Sequence, residues 1–243
     1  MKDFCMTPEG FTLEQVDEIG STSEALKARA GDGAPDNLAL LARRQTGGHG
    51  RMGRPWRSIE GNLFLSVLMR PATLRYPGHW SILSAVALAE AVAGLLPNAA
   101  LLRVKWPNDL LLDGGKLAGI LLEAGFAAAP WLVVGFGVNL IEAPDGLGRQ
   151  TACLADVARA PSPEAFAGDL LGALQRWRVR YEQDGFAPVR DAWLAMAHRP
   201  GDLLIVGQGD NRIEGRFRGI GDDAALLLDG ADGPIIIAAG EVA

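Results

Sequence analysis

The stretch Leu41 to Ser58, LARRQTGGHGRMGRPWRS, sets Gly47, Gly48, Gly50 and Gly53 among Arg43, Arg44, Arg51, Arg54 and Arg57. No carboxylate lies between Asp36 and Glu60, in a chain whose formal net charge is −6. Such a loop is suited to meeting anions. Glycine lets backbone N–H groups approach a ligand closely, and the planar guanidinium fork matches the oxygens of phosphate or carboxylate. A Walker-type phosphate loop needs Gly-Lys-Ser/Thr opening a helix, whereas these glycines run into Arg54-Pro55-Trp56. Gly48, Gly50 and Gly53 give a formal G-x-G-x-x-G, but the next acid, Glu60, falls far short of the ribose-binding position about 20 residues on. A plain solvated loop accounts for the glycines but not for the clustered arginines.

Three further groups carry candidate chemistry. Lys105 and Lys116 flank Asn108-Asp109 within the apolar run Leu101 to Gly125. Charges among core strands are costly unless paired with each other or with a ligand; the competing reading is strand-end charges pointing to water. Ser21-Thr22-Ser23 crowds hydroxyls at a predicted helix start, where they offer donors and acceptors to a small polar ligand or serve only as caps. Gly135 and Gly137 alternate in an apolar strand, leaving one face open to a ligand or a backbone. Cys5 and Cys153, with His49, His79 and His198, give no zinc-type ligand set by spacing, so no metal site is expected.

The elements that must position these groups follow from pattern. Phe11 to Ile19 is taken as a strand, although Leu13, Val16 and Ile19 also fit a helix; residues 1 to 10 read as a frayed start. Ser21 with Glu24 three residues later reads as a capping box opening a helix to Ala30. Leu38 to Ala42 and Asn62 to Met69 are apolar strands that sling the Gly/Arg loop between them. Pro77 to Pro97 frames a helix with Ile82, Val86, Ala89, Val92 and Leu96 on one stripe. Val104 to Trp106 is a strand broken by Pro107, which leaves Asn108 and Asp109 in a bend before Leu110 to Leu112. Asp113-Gly114-Gly115 predicts a hairpin turn into Leu117 to Glu123, and Trp131 to Leu140 is another buried strand. Helices follow at Pro163 to Gln183 and Phe186 to Ala197. Beyond Arg199-Pro200-Gly201, short apolar segments separated by Gly-Asp turns predict a small all-β module, a barrel by its turn spacing.

With 243 residues, 49% hydrophobic and 21% charged, the chain can bury a large domain and a small one. Its acidic balance argues against a nucleic-acid binder, which needs a broad basic face. The most apolar run, Trp80 to Leu96, contains Glu90 and is too short to span a bilayer. No basic region followed by an apolar core opens the chain, so a cytoplasmic protein with reduced thiols is expected, with no membrane partner.

Taken together and in order, these blocks resemble the biotin protein ligases. The family marks are a Ser-Thr-Asn-type turn, a Gln before a Gly/Arg loop ending in Trp, then Lys-Trp-Pro-Asn-Asp, Lys-Leu-Ala-Gly-Ile and a Gly-x-Gly-x-Asn strand end. The matching residues are Ser21-Thr22-Ser23; Gln45 with Gly48 to Trp56; Lys105 to Asp109; Lys116 to Ile120; and Gly135 to Asn139. Ser23 stands where Asn is usual and His49 where Arg is common; His49 removes one fixed positive charge, so retention of the reaction intermediate is expected to be weaker or pH-dependent.

The resemblance implies an α+β fold: a mixed, largely antiparallel sheet packed with helices, of the class II synthetase-like biotin/lipoyl ligase type, over residues 1–198. A small C-terminal SH3-like β-barrel would occupy 199–243. It implies an ATP-dependent enzyme that makes biotinyl-5'-AMP, with Mg2+ carried on the triphosphate, then transfers biotin to a lysine of a biotin carboxyl carrier domain such as that of acetyl-CoA carboxylase. A homodimer through a sheet edge is one arrangement the family implies. The short lead before the hydroxyl turn implies a form without the DNA-binding domain of some members, and no nucleic-acid partner.

The reaction residues implied are Arg51, Lys116 and Asp109, the last to orient the acceptor amine or take its proton. Biotin would be held by Ser21, Thr22, Ser23, Gln45, His49, Gly50, Arg51, Lys116, Gly119 and Gly135. The nucleotide would meet Gly48, Arg51, Arg54, Trp56, Lys105, Asn108 and Asn139. The rivals are a lipoate or octanoate ligase or transferase of the same superfamily and a non-catalytic biotin-binding protein.

Overall fold

The computed structural model describes residues 3–7, 10–146, 148–207 and 212–242. Eight strands form the main sheet: β1 (Asp3–Met6), β2 (Thr12–Ile19), β3 (Leu38–Gln45), β4 (Leu63–Met69), β5 (Leu102–Lys105), β6 (Asp109–Leu112), β7 (Gly115–Phe126) and β8 (Pro130–Val138), in the order β1-β2-β3-β4-β8-β7-β6-β5. The segment expected to fray instead supplies β1, which pairs antiparallel with β2 along one edge. β2 and β3 run parallel and every other neighbouring pair is antiparallel. The sheet is therefore mixed and largely antiparallel, and with its helices the fold is α+β. The connection across the parallel pair is α1 (Thr22–Gly31).

Alternation sorts side chains to two faces. Leu38, Leu40, Leu68 and Val133 meet Leu26 and Ala30 of α1. Their chain neighbours Ala39, Leu41, Val67, Leu132 and Val134 point the other way, to α2 (Pro77–Ala93), α3 (Pro163–Asp184) and α4 (Ala187–Met196). All seven residues of β4 are buried, as a strand covered on both faces requires.

Asp113 and Gly114 both have positive φ, 47° and 81°, the geometry that a two-residue turn between twisted strands demands. Asp109 is not in a bend but opens β6, where it pairs with Gly119.

The last part of the chain folds as a separate antiparallel sheet, β12-β11-β10-β9, from β9 (Leu203–Val206), β10 (Ile213–Ile220), β11 (Leu226–Gly230) and β12 (Gly233–Ile237). The Gly209-Asp210 turn expected between β9 and β10 lies outside the described residues. This small sheet is tied back to the larger one: Trp106 Nε1 donates to Ala224 O at 3.1 Å and His79 Nε2 bonds Asp222 O at 2.6 Å. Among the described residues no helix is long and apolar enough to cross a membrane.

Candidate functional site

A pocket opens on the α1 face of the main sheet, where register and residue size leave a gap. Ser66 of β4 lies beside Gly135 of β8, and Gly135 beside Leu121 of β7; in the next row Gly137, Gly119 and Asp109 follow one another across β8, β7 and β6. These residues share one face by strand alternation. Simple alternation would put Lys116 on the opposite face from Gly119. The register shift between Leu110 and Leu111 leaves Leu117 as an extra residue on β7, which turns Lys116 to the pocket side. Its Nζ then stands 2.5 Å from Asp109 Oδ1, both side chains nearly buried. Burial lowers the Lys116 pKa against the raising effect of Asp109, and the positive charge of Arg149 lowers it further.

The hydroxyl turn forms one wall. Ser21, Thr22 and Ser23 are all buried, and Ser66 closes the cluster from the sheet: its Oγ is 2.7 Å from Thr22 Oγ1 and 2.9 Å from Ser23 Oγ. Gln45, at the end of β3, accepts from Thr22 N at 2.8 Å and from Thr22 Oγ1 at 3.1 Å. A Cβ at Gly135 would lie 2.5 Å from Ser23 Oγ, so the position has no room for a side chain. The capping box is only half formed: Ser21 Oγ accepts from Glu24 N at 3.4 Å, while the Glu24 carboxylate turns to Lys27 at 2.8 Å and to His49 at 3.4 Å. A charged partner on the helix surface wins over the backbone amide.

The Gly/Arg loop covers the gap as a small folded flap. Trp56 N donates to Gly48 O at 2.9 Å, Gly50 N to Arg54 O at 2.8 Å, and His49 bridges Pro55. Its tip turns through Met52 and Gly53 at φ 59° and 70°. The Trp56 ring lies on the glycine floor, so that a Cβ at Gly137 would fall 2.5 Å and one at Gly119 3.1 Å from ring atoms. Lys116 Nζ is 5.8 Å from the ring centroid, within cation–π range. The flap reaches the C-terminal tail: Arg51 Nη1 donates to Gly240 O at 2.9 Å, and Arg54 donates to both oxygens of Glu241 at 3.0 and 2.5 Å.

Of the residues expected from sequence, Ser21, Thr22, Ser23, Gln45, His49, Gly50, Arg51, Arg54 and Trp56 line this pocket, together with Asn108, Asp109, Lys116, Gly119 and Gly135. Gly48, Lys105 and Asn139 are not among its lining residues. Gly48 instead packs on Gln45, where a Cβ would meet Nε2 at 2.9 Å. Asn139 is buried and donates to Ala152 O at 3.2 Å, tying a following loop to the start of β7. Lys105 is half-buried at the end of β5, and its charge reaches Glu241. Asn108 both lines the pocket and braces it, exchanging bonds with Ile120: its Nδ2 donates to Ile120 O at 2.5 Å and its O accepts from Ile120 N at 2.9 Å.

Ser66, Arg149 and Glu241 also line the pocket and were not expected there from sequence. Ser66 had a signal, as the lone polar residue of LFLSVLM; the other two lie far from every recognised block and had none.

The described residues also bring ligand atoms of Glu24, His49 and Glu123 within 4.8 Å of one another. Lys27 Nζ bonds both carboxylates there, at 2.8 and 2.7 Å, so this cluster is an ion-pair network around an ammonium.

The pocket therefore combines a neutral hydroxyl and amide end, a glycine floor under an indole, and a cationic end with Arg51, Arg54, Lys116 and Arg149. That arrangement suits a ligand with a small polar head, a slim middle and an anionic end. The model of the biotin/lipoate A/B protein ligase family matches residues 18–139. The chain is 38% identical over 231 residues to the biotin--[acetyl-CoA-carboxylase] ligase of Paracoccus denitrificans, covering 91% of this chain and 95% of that protein. It is 34% identical to the ligase of the same name from Mycobacterium tuberculosis, covering 95% of this chain and 88% of the relative. In fold it is similar to the biotin protein ligase of Aquifex aeolicus in complex with biotin and ATP, with a TM-score of 0.83, 24% identity, and coverage of 95% and 97% of the two chains.

Proposed function

The chain belongs to the biotin/lipoate A/B protein ligase family, and on that premise we propose that it is a biotin protein ligase that adenylates biotin with ATP and passes the biotinyl group to a carrier lysine. The observation that carries this reading is the single pocket in which the hydroxyl turn, the Gly/Arg flap and the Lys116–Asp109 pair face one another.

In the first step a biotin carboxylate oxygen attacks the α-phosphorus of ATP and pyrophosphate leaves. A carboxylate is already ionised at pH 7, so no base is needed. The barrier is repulsion between two anions, and fixed positive charge lowers it. Lys116 and Arg51 supply that charge at the junction, with Arg54 and the field of Lys105 beside them. Ser21, Thr22, Ser23 and Gln45 bind the polar ring of biotin. His49, Gly50, Gly119 and Gly135 leave room for its chain. Trp56 shelters the adenosine side, with Gly48, Asn108 and Asn139 holding the surrounding backbone. Of the two pocket carboxylates, Asp109 pairs with Lys116 and Glu241 with Arg54. Mg2+ carried on the triphosphate would offset its charge.

In the second step a carrier lysine attacks the mixed anhydride and AMP leaves. Its amine must first lose a proton, and Asp109 orients it or accepts that proton. The partner is the biotin carboxyl carrier domain of a carboxylase, the setting is cytoplasmic, and neither nucleic acid nor membrane takes part. A homodimer through an edge of the main sheet fits the same reading.

The test is exchange of labelled pyrophosphate into ATP, which should depend on added biotin. Exchange without biotin, or with lipoate only, refutes the assignment, the latter in favour of a lipoate ligase of the same family.

A further inference from the structure

Hydrophobic burial cannot hold the flap tip down. None of Arg51 to Gly53 is buried, and Met52 is 90% exposed. What the tip touches is the tail that follows β12: the Gly240 carbonyl through Arg51 and the Glu241 carboxylate through a two-pronged contact from Arg54. That tail is itself fixed. Gly207 N donates to Glu241 O at 2.9 Å, Val242 bridges Val206 and is 2% exposed, and a Cβ at Gly240 would lie 2.8 Å from Val206 Cγ1. A rigid, backbone-anchored carboxylate thus meets an otherwise solvent-exposed loop. Arg54, with Lys116 and Lys105 adding, holds the Glu241 carboxyl below its usual range, so the anion persists at neutral pH.

We propose that Glu241 is a positioning residue that latches the Gly/Arg flap shut over the pocket, so that the small C-terminal sheet controls how long a reaction intermediate stays enclosed. Glu241 acts through Arg54 rather than on the substrate. The consequence for the intermediate rests on the proposed adenylation; the latch itself does not.

Limited trypsin digestion reads the latch without any substrate, because the Arg51 side chain must leave the Gly240 carbonyl before the protease can seat it and cut the Arg51–Met52 bond. Glu241→Gln should speed that cut about threefold at unchanged thermal midpoint, the size expected for losing one two-pronged surface ion pair. Glu241→Asp, which keeps the charge, should fall between it and the parent. The reversed pair R54E/E241R should return cleavage toward the parent rate, which a damaged tail would not do. In the complete reaction Glu241→Gln should release more adenylate into solution per transfer. Cleavage of Glu241→Gln at the parent rate, or a reversed pair cut as fast as the single variant, overturns the latch. A chain that makes no adenylate while its flap is still protected by Glu241 refutes the ligase reading and leaves the latch standing.

Discussion

Gly137→Ala tests the glycine floor directly. Gly137 lies in β8 between Phe64 of β4 and Gly119 of β7, without positive φ, so the backbone itself accepts alanine. The added methyl has nowhere to go: it would sit 2.5, 2.6 and 2.8 Å from Cε2, Nε1 and Cζ2 of Trp56. Ordinary carbon contact begins at about 3.5 Å, so the ring must retreat by about 1 Å, and the flap that carries it must follow. Overpacking of this kind costs about 1–3 kcal/mol, and a displacement of about 1 Å in a positioning group lowers rate by about 10²-fold. The expected result is a depressed thermal midpoint together with biotin-dependent pyrophosphate exchange reduced about a hundredfold. Trp56→Leu placed in the Gly137→Ala background should restore the midpoint by removing the clash, without restoring exchange. Gly31→Ala, where a Cβ meets nothing within 4 Å, serves as the neutral control. Exchange by Gly137→Ala at the parental rate would mean that the indole does not rest on this floor in the working enzyme, and the account of the pocket would fail with it.

Ser66→Ala removes the hydroxyl shared by Thr22 and Ser23, and should cost about 1 kcal/mol of stability and raise KM for biotin; a variant unchanged in both respects rules out a binding role for the cluster. Lys116→Met leaves the buried Asp109 carboxylate without its cation and should destabilise by about 3–5 kcal/mol, whereas K116M/D109L should recover most of that while remaining inactive in exchange. Equal melting of the single and double variants would show that the pair is not energetically coupled. Arg51→Gly removes both a charge facing the pocket and the strap to Gly240, and should release adenylate that labels bystander lysines; undiminished selectivity for the carrier would remove Arg51 from retention.

Burial holds the His79 imidazole below its ordinary 6.5. The folded state then binds fewer protons than the unfolded chain below that pH, so stability is full above it and falls as pH drops toward the folded value. His79→Gln should flatten the slope of melting temperature between about pH 7.5 and 5.5; an unaltered slope would assign the effect to other groups, such as the similarly shifted His198.

Most of the sheet could be read from sequence because its strands carry their own signals: nearly continuous apolar runs for β4 and β8, and the Asp113-Gly114 turn for the β6–β7 hairpin. The motif blocks located most of the pocket for the same reason, since each lies at a strand end or in a turn where chemistry rather than packing sets residue type. What escaped depends on tertiary register. Lys116 was expected at the site from its motif block, but the bulge that turns it to the pocket, with Leu117 as an extra residue on β7, has no local pattern to announce it. Glu241 matters only because the tail pairs with Val206 and so lies beside the flap. Glu24 satisfied the pattern of a capping box, yet an ammonium from the next turn took its carboxylate. Asn139 was expected to meet the nucleotide from the family resemblance; in this structure its side chain donates to the Ala152 carbonyl of a following loop.

Because β2 and β3 run in the same direction, the hydroxyl turn and the Gly/Arg flap emerge from one end of the sheet, stitched together by Gly47 N to Gly20 O at 2.7 Å. The return path through α1 brings the exposed corner Gly31-Asp32-Gly33 to the opposite end of those strands. Extra residues spliced in at that corner would lengthen the return without shifting either reactive segment, since closing a longer loop adds little entropy. Length variation and chemical constraint are thus housed at opposite poles of the same strand pair, and the remote corner is the natural site for attaching a label or a fused domain.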